Sequence, residues 1–150
     1  MILPRPTTLS PLRVLGDEVR ILLNKADSPT RTAAVLVEAA PGNAVPPHTH
    51  AEEEECYFLL DGTLEMTVGS ETMQLERGGF AHVPPRTIHA YHNRSGAVAR
   101  FLVWTVGGSI DEFFRELDHS VRRMPDDLPA LQRAMQKHGI VPVGDAFGTC

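Results

Sequence analysis

Between residues 17 and 106 the chain is a succession of short apolar runs cut apart by Gly, Pro, Asn and Asp. The runs read VRILLN, TAAVLVEAA, CYFLLDG, TLEMTVG, TMQLERGG, FAHVPP, IHAYHN and VARFLVWTV. TLEMTVG alternates strictly, with Leu64, Met66 and Val68 on one face, which is the period of a half-buried strand. Many short strands with regular turn signals predict an all-β sandwich or barrel. No helix-length pattern interrupts them, so a parallel α/β sheet is disfavoured.

The flanks differ. Residues 1–16 carry three prolines and read as an extended N-terminal arm. After Gly107-Gly108, Ser109 and Glu112 have the spacing of a capping box, and Ile110, Phe113, Phe114, Leu117 and Val121 follow at helical spacing. MPDD ends that pattern. Leu128, Leu131 and Met135 then predict a second short helix, with Gly139 as its stop. The expected organisation is an arm (1–16), a β-barrel (17–106) and a C-terminal helical extension of the same domain (107–150). The helices are expected on the outside or at one end of the barrel, with their Phe and Met stripe as core.

At 150 residues the chain suits one domain with a real core. A net charge of −5, with no basic run longer than Arg122-Arg123, argues against nucleic acid, whose binding rests on cationic contacts to phosphates. No apolar run is long enough to span a membrane, and no signal-peptide pattern opens the sequence. The two cysteines, Cys56 and Cys150, make no disulfide framework and suit a reducing cytosol. Cys56 reads as a small buried apolar residue.

The chemistry concentrates in PPHTHAEEEECYF. His48 and His50 are two apart on a strand and so face the same way. Imidazole is the commonest metal ligand, but one strand does not complete a site. Glu55 opens an apolar strand and shares a face with Tyr57 and Leu59; a carboxylate carried into a sheet interior needs a positive partner. Glu52, Glu53 and Glu54 read as a solvated turn before that strand.

Gly42, His48, His50, Glu55 and Gly62 together resemble the first motif of the cupin superfamily. Gly78, Pro84, His89 and Asn93 are similar to its second motif. One position departs: Arg86 stands where the family usually has glycine, so the Pro84–Thr87 turn is expected to differ in shape. The resemblance implies a double-stranded β-helix, jelly-roll-like barrel in which His48, His50, Glu55 and His89 bind one divalent transition metal. Fe, Mn, Ni, Cu, Co and Zn all suit such a set. Small cupins of this pattern resemble quercetin-dioxygenase-like proteins. That implies a metal-dependent oxygenase of a small aromatic or enolisable substrate, with Glu55 doubling as proton acceptor. The alternatives are a non-oxidative isomerase, epimerase or cyclase, and a non-catalytic binding module.

Tyr57 and Tyr91 share strand parity with Glu55 and His89 and are expected beside the substrate. Arg86 is expected on the solvated turn or at the mouth of the barrel, meeting an anionic group on the ligand. His82 is expected inside as a hydrogen-bonded neighbour of the site, and His92 pointing away. His119 and His138 are expected near helix ends, where a cation meets the dipole favourably. Phe101 and Val103 share one face of the last long strand, Leu102 and Trp104 the other; both faces are apolar. An exposed sheet edge at the arm and VRILLN predicts a homodimer.

Overall fold

The computed structural model describes residues 9–144; the first half of the proline-rich arm, residues 1–8, and Cys150 lie outside them. In chain order the strands are β1 (Leu12–Val14), β2 (Asp17–Leu23), β3 (Thr32–Ala39), β4 (Ala44–His50), β5 (Glu54–Asp61), β6 (Leu64–Val68), β7 (Glu71–Leu75), β8 (Phe80–Val83), β9 (His89–His92) and β10 (Ala99–Val106). Helices α1 (Ile110–Ser120) and α2 (Leu128–Lys137) follow, and then a last strand, β11 (Ile140–Pro142). A six-stranded sheet runs β1-β2-β3-β10-β5-β8 and a five-stranded sheet β11-β4-β9-β6-β7. Every pairing is antiparallel. The architecture is the jelly-roll β fold that the strand pattern and the motifs imply.

Period-2 alternation delivers the core. Val35 and Val37 of β3, Tyr57 and Leu59 of β5, Leu64 and Met66 of β6, and Phe101 and Val103 of β10 are all buried between the sheets. The inward face of β10 is therefore the Phe101/Val103 face. Gly62 closes the β5–β6 turn with φ +80, and a Cβ there would lie 3.0 Å from the Val98 carbonyl oxygen. Both the dihedral and the space select glycine.

The tail holds one element that helical periodicity does not announce. β11 extends the five-stranded sheet beside β4, pairing Ile140 with His50 and Pro142 with His48. The capping box is also corrected. Ser109 precedes α1 but makes no side-chain cap; its hydroxyl meets His138 Nδ1 at 2.7 Å. His138 Nε2 lies 3.0 Å from Glu116 Oε2, so this buried imidazole ties α2 to α1. Among the described residues β1 is the outermost strand of the six-stranded sheet, and it pairs with β2 only over residues 17–19. Among the described residues, no helix is long and apolar enough to cross a membrane.

Candidate metal centre and cavity

β4 sends His48 and His50 into the space between the sheets, as residues two apart on a strand must. β9 pairs with β4 so that His89 sits opposite His48. The ring centroids are 4.2 Å apart for His48–His89, 5.1 Å for His48–His50 and 5.2 Å for His50–His89. Glu55 arrives from β5 in the facing sheet. Its Oε2 lies 2.8 Å from His89 Nε2 and 3.7 Å from His50 Nε2. All four side chains are buried.

Each ring is oriented from behind. His48 Nδ1 is 2.9 Å from the Pro46 carbonyl and His89 Nδ1 is 3.0 Å from the Thr87 carbonyl. A carbonyl only accepts, so both Nδ1 atoms carry the hydrogen and both Nε2 atoms present a lone pair inward. His50 Nδ1 faces a carboxylate instead, Glu53 Oε1 at 3.1 Å. The Nε2 atoms of His50 and His89 are buried and face Glu55 Oε2 at 3.7 and 2.8 Å; with His89 Nδ1 already donating to Thr87, its Nε2 lone pair meets a carboxylate oxygen with no hydrogen between them. Buried polar atoms are rarely left so, and a cation is what an inward lone pair on three imidazoles beside a carboxylate accommodates. The side chains present therefore fit a divalent metal.

The electrostatics agree. Burial, reinforced by His89 and His50, pushes His48 down to about 3, so it is neutral and able to donate its lone pair. Burial alone would also lower His50, but Glu55 and Glu53 on its two sides raise it. Burial favours protonating Glu55, yet the three histidines override it and hold the carboxyl well below the usual range. Tyr57 donates to Glu55 Oε2 at 2.8 Å. Burial, followed by the Glu55 charge, raises the phenol well above its ordinary value, which keeps it a donor.

His48, His50 and Glu55 stand at one part of a cavity of about 70 Å³, with His89 behind them. Tyr57, Tyr91 and Phe101 contribute aromatic wall, and Phe101 lies 6.1 Å from Tyr57 and 5.3 Å from Tyr91 between ring centroids. The helical stripe does more than fill core: Ile110, Phe113, Leu117, Leu131 and Met135 also line this cavity. A second carboxylate, Asp17, faces it too. Asp17 accepts from Tyr91 (2.7 Å), Asn43 Nδ2 (2.6 Å) and the Ala40 amide (3.0 Å). Burial raises its pKa in spite of those three donors.

Several expectations need correction. Glu53 is not on a solvated turn; it is only 5% exposed and stands behind His50, whereas Glu52 and Glu54 are exposed. His82 does not face inward. The β5–β8 register pairs it with Cys56, whose side chain points to the outer face, and His82 is exposed and 3.2 Å from Glu54. Arg86 itself takes φ 64, so the turn reaches the left-handed conformation without glycine. Its side chain is exposed and not part of the cavity wall. His92 and His119 lie outside the cavity wall as well.

Sequence reading passed over Asp17 and placed Glu53 on a solvated turn. Asp17 did carry a signal: in β2 it shares parity with Val19 and Ile21, an acid on the inward face of an apolar strand, as Glu55 is in β5. For Glu53 one partner, His50, is local, but the residues that bury it, Gly108 and the start of α1, lie in the tail, and no local pattern announces them.

A family model described as "Cupin domain" matches residues 35–105. Quercetin 2,3-dioxygenase of Bacillus subtilis is 32% identical over 80 residues, which are 53% of this chain and 23% of that protein. Tetracenomycin polyketide synthase protein TcmJ of Streptomyces glaucescens is 30% identical over 96 residues, 63% of this chain and 64% of that protein. The matches thus span less than two thirds of either relative's length. Among solved structures, KdgF from a Halomonas species superposes with a TM-score of 0.62 at 18% identity, over 71% of this chain and 93% of that one. That likeness is one of fold.

Proposed function

On the premise that residues 35–105 form a cupin-type domain, we propose that this chain is a metal-dependent oxygenase of a small aromatic or enolisable substrate. One observation carries this reading. Three inward imidazoles from one sheet and a carboxylate from the other converge beside a cavity whose remaining wall, Asp17 apart, is apolar and phenolic. His48, His50, Glu55 and His89 would hold one ion of Fe, Mn, Ni, Cu, Co or Zn. When bound, such an ion supplies Lewis acidity toward a substrate oxygen and, if redox-active, electron exchange with dioxygen. The partial identity to a quercetin 2,3-dioxygenase supports the oxygenase class.

The chain's own residues have distinct tasks. Glu55 Oε2 accepts a proton from a substrate hydroxyl or enolisable carbon. Tyr57, already donating to that oxygen, moderates its basicity. Tyr91 and Phe101 present ring faces that orient an apolar substrate. Ile110, Phe113 and Leu117 close the cavity against water. The cavity of about 70 Å³ is roughly half the ~150 Å³ apolar cavity that takes up benzene. An aromatic ring therefore enters only if a wall moves, and the helical cap is the wall not built of sheet. Oxygen consumption with 1,3-diketones, polyketide naphthols and flavonols, over protein loaded with each metal in turn, tests the proposal. No uptake with any pair would overturn it.

A second reading draws on the two carboxylate–phenol pairs facing one cavity, Glu55–Tyr57 and Asp17–Tyr91. Two proton-handling pairs suit a non-oxidative isomerase, epimerase or cyclase, and the partial identity to a polyketide synthase protein is compatible with it. Turnover that persists without oxygen would select this reading. Tight ligand binding without turnover would select a non-catalytic binding module.

A homodimer completes the proposal. The outer face of the six-stranded sheet exposes Phe58, Leu60 and Phe80, with Trp104 against Phe80 at 5.8 Å. A second copy would remove this apolar surface from water. Light scattering on the wild type and on Phe80→Lys tests it: a dimer that dissociates in the variant is expected, and a monomeric wild type would refute it.

A further inference from the structure

Glu53 touches two parts of the molecule that its neighbours in sequence do not. Its Oε1 is 3.1 Å from His50 Nδ1. The same carboxylate packs over Gly108 at the start of α1, beside the backbone N–H of Ile110, the first residue of that helix. Gly108 makes room for it: a Cβ at position 108 would lie 1.5 Å from Glu53 Oε2. Ser109 gives its hydroxyl to His138 and leaves the start of α1 uncapped by its own side chain. The acid that answers the amides and dipole of this helix start is thus Glu53, some 55 residues earlier in the chain.

We propose that Glu53 is a positioning residue that couples metal occupancy at His50 to the docking of α1 over the cavity. The inference rests on the metal-centre reading above. A carboxylate behind a ligating imidazole fixes its ring and raises its basicity. An imidazole that shares its Nε2 lone pair with a cation is in turn a stronger Nδ1–H donor, and holds that carboxylate more firmly. Glu53 held in place keeps the first turn of α1 in place, and that helix carries Ile110, Phe113 and Leu117 into the cavity wall. The coupling is reciprocal, as binding linkage requires: a firmly docked cap strengthens metal binding. Glycine at 108 is part of the device, since any side chain there would expel the carboxylate.

The test is Co(II) titration of chelator-stripped full-length protein, with hydrogen exchange of the α1 amides followed in the apo and loaded states. In the wild type, Co(II) is expected to slow exchange in the first turn of α1. Glu53→Gln keeps the volume but offers one acceptor oxygen in place of two; it is expected to bind Co(II) about 10–100-fold more weakly and to lose the metal-dependent protection. Gly108→Ala displaces the carboxylate from the other side and is expected to reproduce both effects, so it decides the matter if Glu53→Gln does not fold. Glu52→Gln, an exposed neighbour, is the control and should match wild type. Unchanged affinity and unchanged α1 protection in both Glu53→Gln and Gly108→Ala, with wild type binding Co(II), would overturn this inference alone. A wild type that binds no Co(II) would overturn the metal-centre reading and this inference with it.

Discussion

Tyr91 donates its phenolic hydrogen to Asp17 Oδ2 across 2.7 Å, joining two residues 74 apart in sequence at the wall of one cavity. Asp17 is only 2% exposed, so it has little water to replace a lost donor. Tyr91→Phe removes that donor and keeps the ring against Phe101. Leaving a buried acceptor short of a partner costs about 1–3 kcal/mol, and urea denaturation is expected to show a loss in that range. A loss near zero would mean that the pair does not matter to the fold.

Asp17 also sets a pH dependence. Burial raises its folded pKa above the ordinary 3.8, against the pull of Tyr91, Asn43 and Ala40. The folded protein therefore binds the proton more tightly than the unfolded chain. The contribution to stability is fully present below about 3.8 and is lost as pH rises through the raised value. Asp17→Asn has no such titration. The wild-type stability minus that of the variant is expected to be most favourable in acid and to fall as pH rises, checked by denaturation at a series of pH values. A difference that rises with pH would contradict this placement of Asp17.

The strand content and the inward face of β6 were legible because side-chain alternation is local; the convergence of His48, His50, Glu55 and His89 was implied only by the resemblance of two spaced motifs to the cupins. What was not legible depends on register and on distant packing. His82 faces out because β8 pairs it with Cys56, and nothing in FAHVPP states that register. Glu53 is buried because Gly108 and the start of α1 close over it, some 55 residues further along the chain. The helical stripe read correctly as apolar, but only the three-dimensional arrangement shows that it also bounds the cavity. β11 escaped because three residues after a helix stop are too few to show a period.

Arg86 offers a test on the turn beside the site. It holds φ 64, and its amide donates to the His50 carbonyl at 2.8 Å. A left-handed conformation costs a non-glycine residue about 1–2 kcal/mol, while glycine loses about 0.5–1 kcal/mol in chain entropy. Arg86→Gly is therefore expected to gain up to about 1.5 kcal/mol in thermal or urea denaturation. Because the Arg86 side chain is exposed and outside the cavity wall, metal binding should be unchanged. A clear loss of affinity for an anionic ligand in this variant would restore a binding role for the guanidinium at the barrel mouth.

The most direct measurement is the metal content of protein purified without chelator, followed by titration of the stripped protein, for wild type, His48→Ala and His89→Ala. Wild type is expected to hold about one divalent transition ion per chain, and each variant far less, because each loses one of the inward imidazoles of a three-histidine, one-carboxylate site. A wild type that takes up no ion, or variants that bind as much and as tightly as wild type, would contradict the assignment of this cluster as a metal centre.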